Sequence, residues 1–226
     1  MAAHFPDIDV PVSPMERNFY EKHGKRLFDF AASAIGLLLL SPLLLVLAML
    51  VKATSAGPVL YRQERVGRGG RIFRIAKLRS MFEDSDKRGP LITSAKDSRV
   101  TPVGRLLRRL KLDELPQLWN VVKGEMSLVG PRPEVPQYVE FYSTAQRRVL
   151  TVRPGITDPA SLVYRHEERV LAAQPDPDAY YRNVVLIDKL NMNLEYLDNV
   201  SFSYDLFLVL LTTGIVYFPK WITRTQ

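Results

Sequence analysis

Two adjacent carboxylates, Asp113 and Glu114, follow the densest run of positive charge in the chain. From Arg99 to Lys111 there are five basic residues and no acidic one. A carboxylate among cations keeps its charge, because the ionised form is stabilised. An ionised aspartate can attack phosphorus as a nucleophile or coordinate Mg²⁺. A nearby helix start and the arginines would hold phosphate oxygens. A second reading needs no chemistry: Asp113 caps the following helix and Glu114 sits in its first turn.

Arg132 is the next candidate. It stands between Pro131 and Pro133. Prolines fix the backbone, so the guanidinium fork is presented with little loss of entropy and could clamp a phosphate. A rigid loop carrying a solvated arginine is the alternative. Arg153, ahead of Pro154-Gly155, repeats the pattern more weakly. Other chemistries are excluded. The chain has no cysteine, which removes disulfides, cysteine zinc sites and cysteine nucleophiles. His4, His23 and His166 are isolated and make no metal pattern. The Gly67–Gly70 turn is not followed by the Lys-Ser/Thr of a phosphate-binding loop.

The elements that position these residues are uneven. The 226 residues carry a net charge of +7 and are 46% hydrophobic. That balance excludes a wholly disordered chain and points to an anionic partner. Much of the apolar content is concentrated. Leu27 to Val51 holds one charge, Asp29, in 25 positions. As one helix this run is long enough to cross a bilayer core of about 30 Å. It starts too late for a signal peptide and lacks a cleavage site. Ser41-Pro42 interrupts it, and proline removes a backbone donor. The two halves would reach only about 21 Å and about 14 Å. Lys25 and Arg26 precede the run. Lys52, Arg62, Arg65, Arg68, Arg71, Arg74, Lys77 and Arg79 follow it, against Glu64 alone. Cytoplasmic flanks are the ones enriched in Lys and Arg. A re-entrant hairpin fits two basic flanks; a proline-kinked spanning helix and a buried core helix are the other readings.

The remaining pattern is α+β and mainly helical. Residues 1–20 are punctuated by proline and read as a leader. Val59–Arg65 and Arg71–Ser80 read as a hairpin of short strands. Residues 81–100 read as a surface loop. Val103, Leu106, Leu107 and Leu110 form a helical stripe, and Leu115, Leu118, Trp119 and Val122 form a second. Residues 134–150 and 178–199 read as further helices. Tyr204–Phe218 is apolar but short for a span, so it is expected in the interface or on the core, with Tyr204, Tyr217 and Trp221 as interfacial rings.

In order along the chain, these pieces resemble one family. They are Ser41-Pro42 in the apolar run, Arg62-Gln63-Glu64-Arg65-Val66-Gly67, and Lys77-Leu78-Arg79-Ser80-Met81. The block from Leu112-Asp113-Glu114-Leu115-Pro116 through Gly130-Pro131-Arg132-Pro133 follows, then Arg153-Pro154-Gly155-Ile156-Thr157. The chain resembles the bacterial sugar transferase family, the monotopic polyprenyl-phosphate phosphoglycosyl transferases, over about residues 20–220, as a member without the extra transmembrane helices of larger ones.

The resemblance implies a two-step reaction at the cytoplasmic face of the bacterial inner membrane. Asp113 attacks the β-phosphate of a UDP-sugar, UMP leaves, and a polyprenyl phosphate, expected to be undecaprenyl phosphate, takes the sugar-phosphate from the enzyme. This is a first membrane step of glycoconjugate or exopolysaccharide assembly. It implies Mg²⁺ at Asp113 and Glu114, with Glu114 completing the dyad. It also implies a re-entrant hairpin over residues 21–55, broken at Ser41-Pro42, and a cytoplasmic catalytic domain over residues 56–226. Arg108, Arg132 and Arg153 are expected around the phosphates, with Lys77 and Arg79 as further candidates. Membrane lipids are expected partners, and self-association is left open. Many members carry glycine after the Gly-Ile-Thr run; this chain has Asp158-Pro159-Ala160-Ser161, so the loop there departs from the pattern. A membrane-anchored basic adaptor without activity is the alternative. A nucleic-acid binder lacks any recognisable motif.

Overall fold

The computed structural model describes residues 19–83, 85 and 97–214. All but the last two residues of the expected leader, most of the 81–100 loop, Tyr217 and Trp221 lie outside the described residues. One long helix, α1 (Lys25–Thr54), opens the fold. It is followed by β1 (Leu60–Val66) and β2 (Ile72–Leu78), then α2 (Pro102–Arg109) and α3 (Gln117–Lys123). Next come β3 (Ser127–Val129), α4 (Pro136–Val139), β4 (Gly155–Thr157), α5 (Pro159–Val163) and α6 (Glu167–Ala172). The described residues close with α7 (Pro177–Tyr180), α8 (Leu186–Asp198) and α9 (Phe202–Thr213). The molecule is mainly helical, as expected.

β1 and β2 form the expected antiparallel hairpin, with Tyr61 opposite Lys77. Gly69 closes its turn at φ 66°, a left-handed conformation that costs glycine little. β3 and β4 form a second, parallel pair that periodicity did not disclose. Three residues per strand are too few to show alternation. The pair needs two glycines: a side chain at Gly155 would run into the backbone of Gly130, and one at Gly130 would lie 2.7 Å from the Arg153 carbonyl.

The expected helix over 134–150 is broken. α4 ends after one turn, and a 3₁₀ segment occupies Gln146–Thr151. Ser143 and Gln146 explain the restart. The Ser143 N–H donates to Gln146 Oε1 at 2.9 Å, and the Gln146 N–H donates to Ser143 Oγ at 3.3 Å. This reciprocal capping box starts a new element.

α1 stays helical through Ser41-Pro42, where the sequence predicts a break. Pro42 has no N–H for the Leu38 carbonyl. Ser41 Oγ donates to that carbonyl at 2.8 Å instead. The hydroxyl supplies the bond the proline removes, a substitution that also tends to bend helices.

The core gathers Val121, Met126, Val129, Val139, Val185 and Tyr196 beneath α3, α8 and β3. A smaller cluster joins Leu47 and Val51 of α1 to Leu78 and Leu107. α1 is thus docked at both ends. Asp29, near its start, accepts from Ser127 Oγ at 2.8 Å and the Leu128 N–H at 3.0 Å. Between the docked ends, Leu38 and Leu39 are 74% and 72% exposed.

Candidate active site

The dyad lies in a short 3₁₀ turn, Leu112–Glu114, between α2 and α3. Lys111 just before it adopts φ 58°. That left-handed conformation is uncommon for a residue with a side chain and marks stored strain at a sharp redirection of the chain. Asp113 does not cap α3, which starts without any side-chain cap. Its carboxylate is buried, and Oδ1 has no hydrogen-bond partner. Buried polar groups are normally satisfied, so an orphaned carboxylate oxygen points to function rather than to folding.

Glu114 is the opposite case. Its Oε1 accepts from Lys77 Nζ at 2.9 Å and from Arg132 Nη2 at 2.6 Å, and its Oε2 accepts from Arg132 Nη1 at 3.3 Å. The two neighbouring acids therefore have different electrostatics. Burial pushes the Asp113 carboxyl above its ordinary value, and the Glu114 charge adds to this, against Lys77, Arg108 and Lys111. Burial would also raise Glu114, but Arg132 and Lys77 outweigh it and hold Glu114 well below the usual carboxylate range. In turn, Glu114 raises Arg132, while burial lowers Lys77.

Each partner is delivered by a different element. Lys77 comes from β2, which is fastened to α3 by Asn120. The Ala76 N–H donates to Asn120 Oδ1 at 3.0 Å, and Asn120 Nδ2 donates to the Arg74 carbonyl at 2.9 Å. Arg132 comes from the loop after β3. Arg65 braces that loop, donating to the Pro133 carbonyl at 3.0 Å and pairing with Glu134. Asp158, just after β4, accepts the Arg132 N–H at 2.8 Å. Asn120, Asp158 and Lys111 were not foreseen as contributors. Asn120 carried a faint signal, a polar residue between apolar neighbours on a helix.

The structure brings Lys77 and Arg132 onto the dyad. Arg108 stands beside it: its charge acts on Asp113, and its Nη2 pairs with Glu168 at 3.5 Å. Arg79 and Arg153 are engaged elsewhere. Arg79 Nη2 donates to the Ser55 carbonyl at 2.7 Å and to Ser55 Oγ at 2.8 Å, at the end of α1. Arg153 Nε donates to the Gly124 carbonyl at 2.9 Å, at the far end of α3, near Arg68 and Arg26.

A basic, largely buried cluster in which one carboxylate is paired and the other keeps an oxygen without a partner suits a phosphorylated substrate. The Arg132 fork, now closed on a carboxylate, matches phosphate oxygens equally well. Among the described residues no group of three or more acidic or histidine side chains is placed to hold a metal. Two carboxylates are nonetheless a usual protein share of a Mg²⁺ site, in which substrate phosphates complete the coordination. The orphaned Asp113 oxygen fits that role as well as that of a nucleophile.

The sequence profile described as "Bacterial sugar transferase" matches residues 20–219. One similar protein is the UDP-N-acetylgalactosamine-undecaprenyl-phosphate N-acetylgalactosaminephosphotransferase of Aeromonas hydrophila. It is 39% identical over 193 residues, covering 83% of this chain and 42% of that protein. The undecaprenyl-phosphate glucose phosphotransferase of Komagataeibacter xylinus is 43% identical over 199 residues, covering 83% of this chain and 35% of that protein. The exopolysaccharide production protein ExoY of Rhizobium meliloti is 37% identical over 207 residues, with 85% and 84% covered. The chain thus spans less than half the length of the first two.

Proposed function

The chain belongs to the bacterial sugar transferase family, and from that premise we propose that it transfers a sugar-1-phosphate from a UDP-sugar to undecaprenyl phosphate. The orphaned, buried Asp113 carboxylate beside a fully paired Glu114 carries this reading. In the first step an Asp113 oxygen bonds to the β-phosphorus of the donor. The bond from that phosphorus to the bridging oxygen breaks, and UMP leaves with the electron pair. In the second step a phosphate oxygen of the polyprenyl acceptor bonds to the same phosphorus, and Asp113 is released as carboxylate. Splitting the transfer lets a soluble donor and a bilayer acceptor react in turn.

Residues of this chain supply the charge balance. Lys77 and Arg132 keep Glu114 ionised and stand ready to hold phosphate oxygens. Arg108 offsets the cost of ionising Asp113. Asp113 and Glu114 would hold Mg²⁺, Glu114 by releasing Lys77 or Arg132 to the phosphates, and the ion would neutralise charge on the leaving group.

The site belongs at a membrane surface. α1 is the one helix among the described residues long and apolar enough to cross a bilayer, and little of it is buried. Yet Ser33 and Leu47 are both buried. The stretch between them rises only about 20 Å as a helix, less than the bilayer core. A helix held at both ends, with Pro42 between them, fits one that dips into the bilayer and returns. Leu106, Leu110 and Trp119, each more than half exposed, lie on α2, just after it and on α3, and extend the apolar face beside the dyad. Both basic flanks then lie on the cytoplasmic face of the inner membrane, with residues 21–55 as the membrane segment and residues 56–226 as the catalytic domain.

The test is UMP release from UDP-sugars with Mg²⁺ and undecaprenyl phosphate. Asp113→Asn is expected to lower the rate by about 10³-fold or more, as loss of a covalent nucleophile does. Turnover near wild type in that variant would overturn the assignment. A panel containing UDP-glucose and UDP-N-acetylgalactosamine identifies the sugar.

A further inference from the structure

The parallel pair β3–β4 sets two chain exits side by side. β3 runs out into Gly130-Pro131-Arg132-Pro133, and β4 runs out into Asp158. In Pro131-Arg132-Pro133 the only backbone N–H belongs to Arg132. Asp158 Oδ2 accepts that N–H at 2.8 Å and Asn193 Nδ2, from α8, at 3.0 Å. Its Oδ1 accepts the Ser161 N–H and caps α5. The Asp158 residue is 1% exposed.

Capping alone does not explain an aspartate here, because asparagine caps a helix equally well. The second oxygen carries the difference. It receives two donors, and an asparagine amide turned that way would face both with N–H groups of its own. A buried carboxylate is retained where its charge is needed.

We propose that Asp158 is a positioning residue for phosphosugar transfer: by gripping the lone N–H of the Pro131–Pro133 run, and being held in turn by Asn193, it sets the Arg132 fork onto Glu114. This deepens the transferase reading and rests on it. It also gives a task to the position at which this chain departs from the family pattern.

The test is a double-mutant cycle on UMP release with the full-length protein in lipid nanodiscs. Asp158→Asn is expected to lower kcat about 10- to 100-fold, the range of a charge-assisted hydrogen bond, with KM for the donor changed less than about 3-fold. Arg132→Lys removes the two-pronged contact while keeping turnover measurable. The double variant is expected to be no slower than Arg132→Lys alone, within about 3-fold, because both changes break one linkage. Losses that multiply, or a wild-type kcat in Asp158→Asn, would overturn the proposal. Asn193→Ala provides the second arm if Asp158→Asn folds poorly. It should show a smaller kcat loss that again vanishes in the Arg132→Lys background, and a loss that persists there counts against the linkage. Wild-type turnover that Asp113→Asn abolishes establishes the reaction independently, so a failed cycle with that turnover intact removes only the role of Asp158.

Discussion

Asp113 and Glu114 are adjacent acids that the fold treats in opposite ways. Glu114 has two cations and is ionised throughout the physiological range. Asp113 has a buried oxygen without a partner, so its charged form is costly. The pH dependence follows. In the proposed mechanism Asp113 must be ionised to attack, and its carboxyl is raised by burial and by Glu114. Turnover should therefore fall as pH drops through a value above that of an ordinary aspartate. Arg108→Gln removes one of the cations that oppose the shift, so the acid limb of kcat/KM should move toward neutrality by about one pH unit or less. A limb that stays in place would mean that Arg108 does not act on Asp113. Stability carries the reverse sign. A carboxyl raised in the folded state favours the fold when protonated, and this advantage is lost as pH rises through the raised value. At neutral pH, Asp113→Asn should therefore raise Tm while abolishing activity. The expected gain is about 2–4 °C, the effect of roughly 1 kcal/mol in a chain of this size, and it should vanish at acid pH. A lower Tm at neutral pH would show that Asp113 serves the fold.

The elements that could be read from sequence are those with enough length to show a period. The hairpin, α2, α3 and α8 fall where alternation or helical spacing placed them. The parallel pair did not show, because Ser127–Val129 and Gly155–Thr157 are too short, and their pairing depends on a crossover that no local pattern records. Yet that pair positions Arg132. For the same reason Arg79 stood level with Lys77 in sequence, and Arg153 read as a weaker copy of Arg132: charge was legible, direction was not. At Ser41-Pro42 the sequence predicts a disruption but not its repair by the serine hydroxyl. The pair can be tested together. Ser41→Ala/Pro42→Ala restores an ordinary N–H to the Leu38 carbonyl and removes the side-chain substitute, so α1 should stiffen at this point. On the proposed re-entrant reading, a helix stiffened there should not keep both ends docked while it is embedded. A tag before residue 20 should change sides relative to one after residue 226, and transfer to the bilayer acceptor should fall about 10-fold or more as the site is misplaced. Unchanged topology and turnover would show that Ser41-Pro42 has no such role.

At the scale of the molecule, the proposed reaction asks that two apolar helices be held in one plane, so that a soluble donor and a bilayer acceptor meet at Asp113. α1 and α9 are far apart in sequence, and one buried acid joins them. Asp205 of α9 is 0% exposed. It accepts from Tyr20 Oη at 2.7 Å and Tyr196 Oη at 2.6 Å, and it pairs with Lys25 at the start of α1. Phe202 adds edge-on ring contacts to Tyr20 and Phe28. Such a network fixes orientation as much as it stabilises, because both tyrosine hydroxyls lose the acceptor they share and Lys25 loses its counter-ion when the acid is removed. Asp205→Ala should therefore cost about 3–5 kcal/mol, the usual effect of leaving a buried partner unpaired. Asp205→Asn, which keeps an acceptor for the tyrosines but not the ion pair, should cost less. The decisive reading is local. Released from Lys25, α9 should become open to protease at the Asn199–Ser201 junction while the core around Val121 and Met126 stays protected. Membrane association through α1 should persist, and transfer to undecaprenyl phosphate should drop more than UMP release from the donor alone, since only the acceptor depends on the plane the two helices define. Equal losses in both half-reactions would place the effect of Asp205 in the catalytic body rather than in the seating of that body on the bilayer.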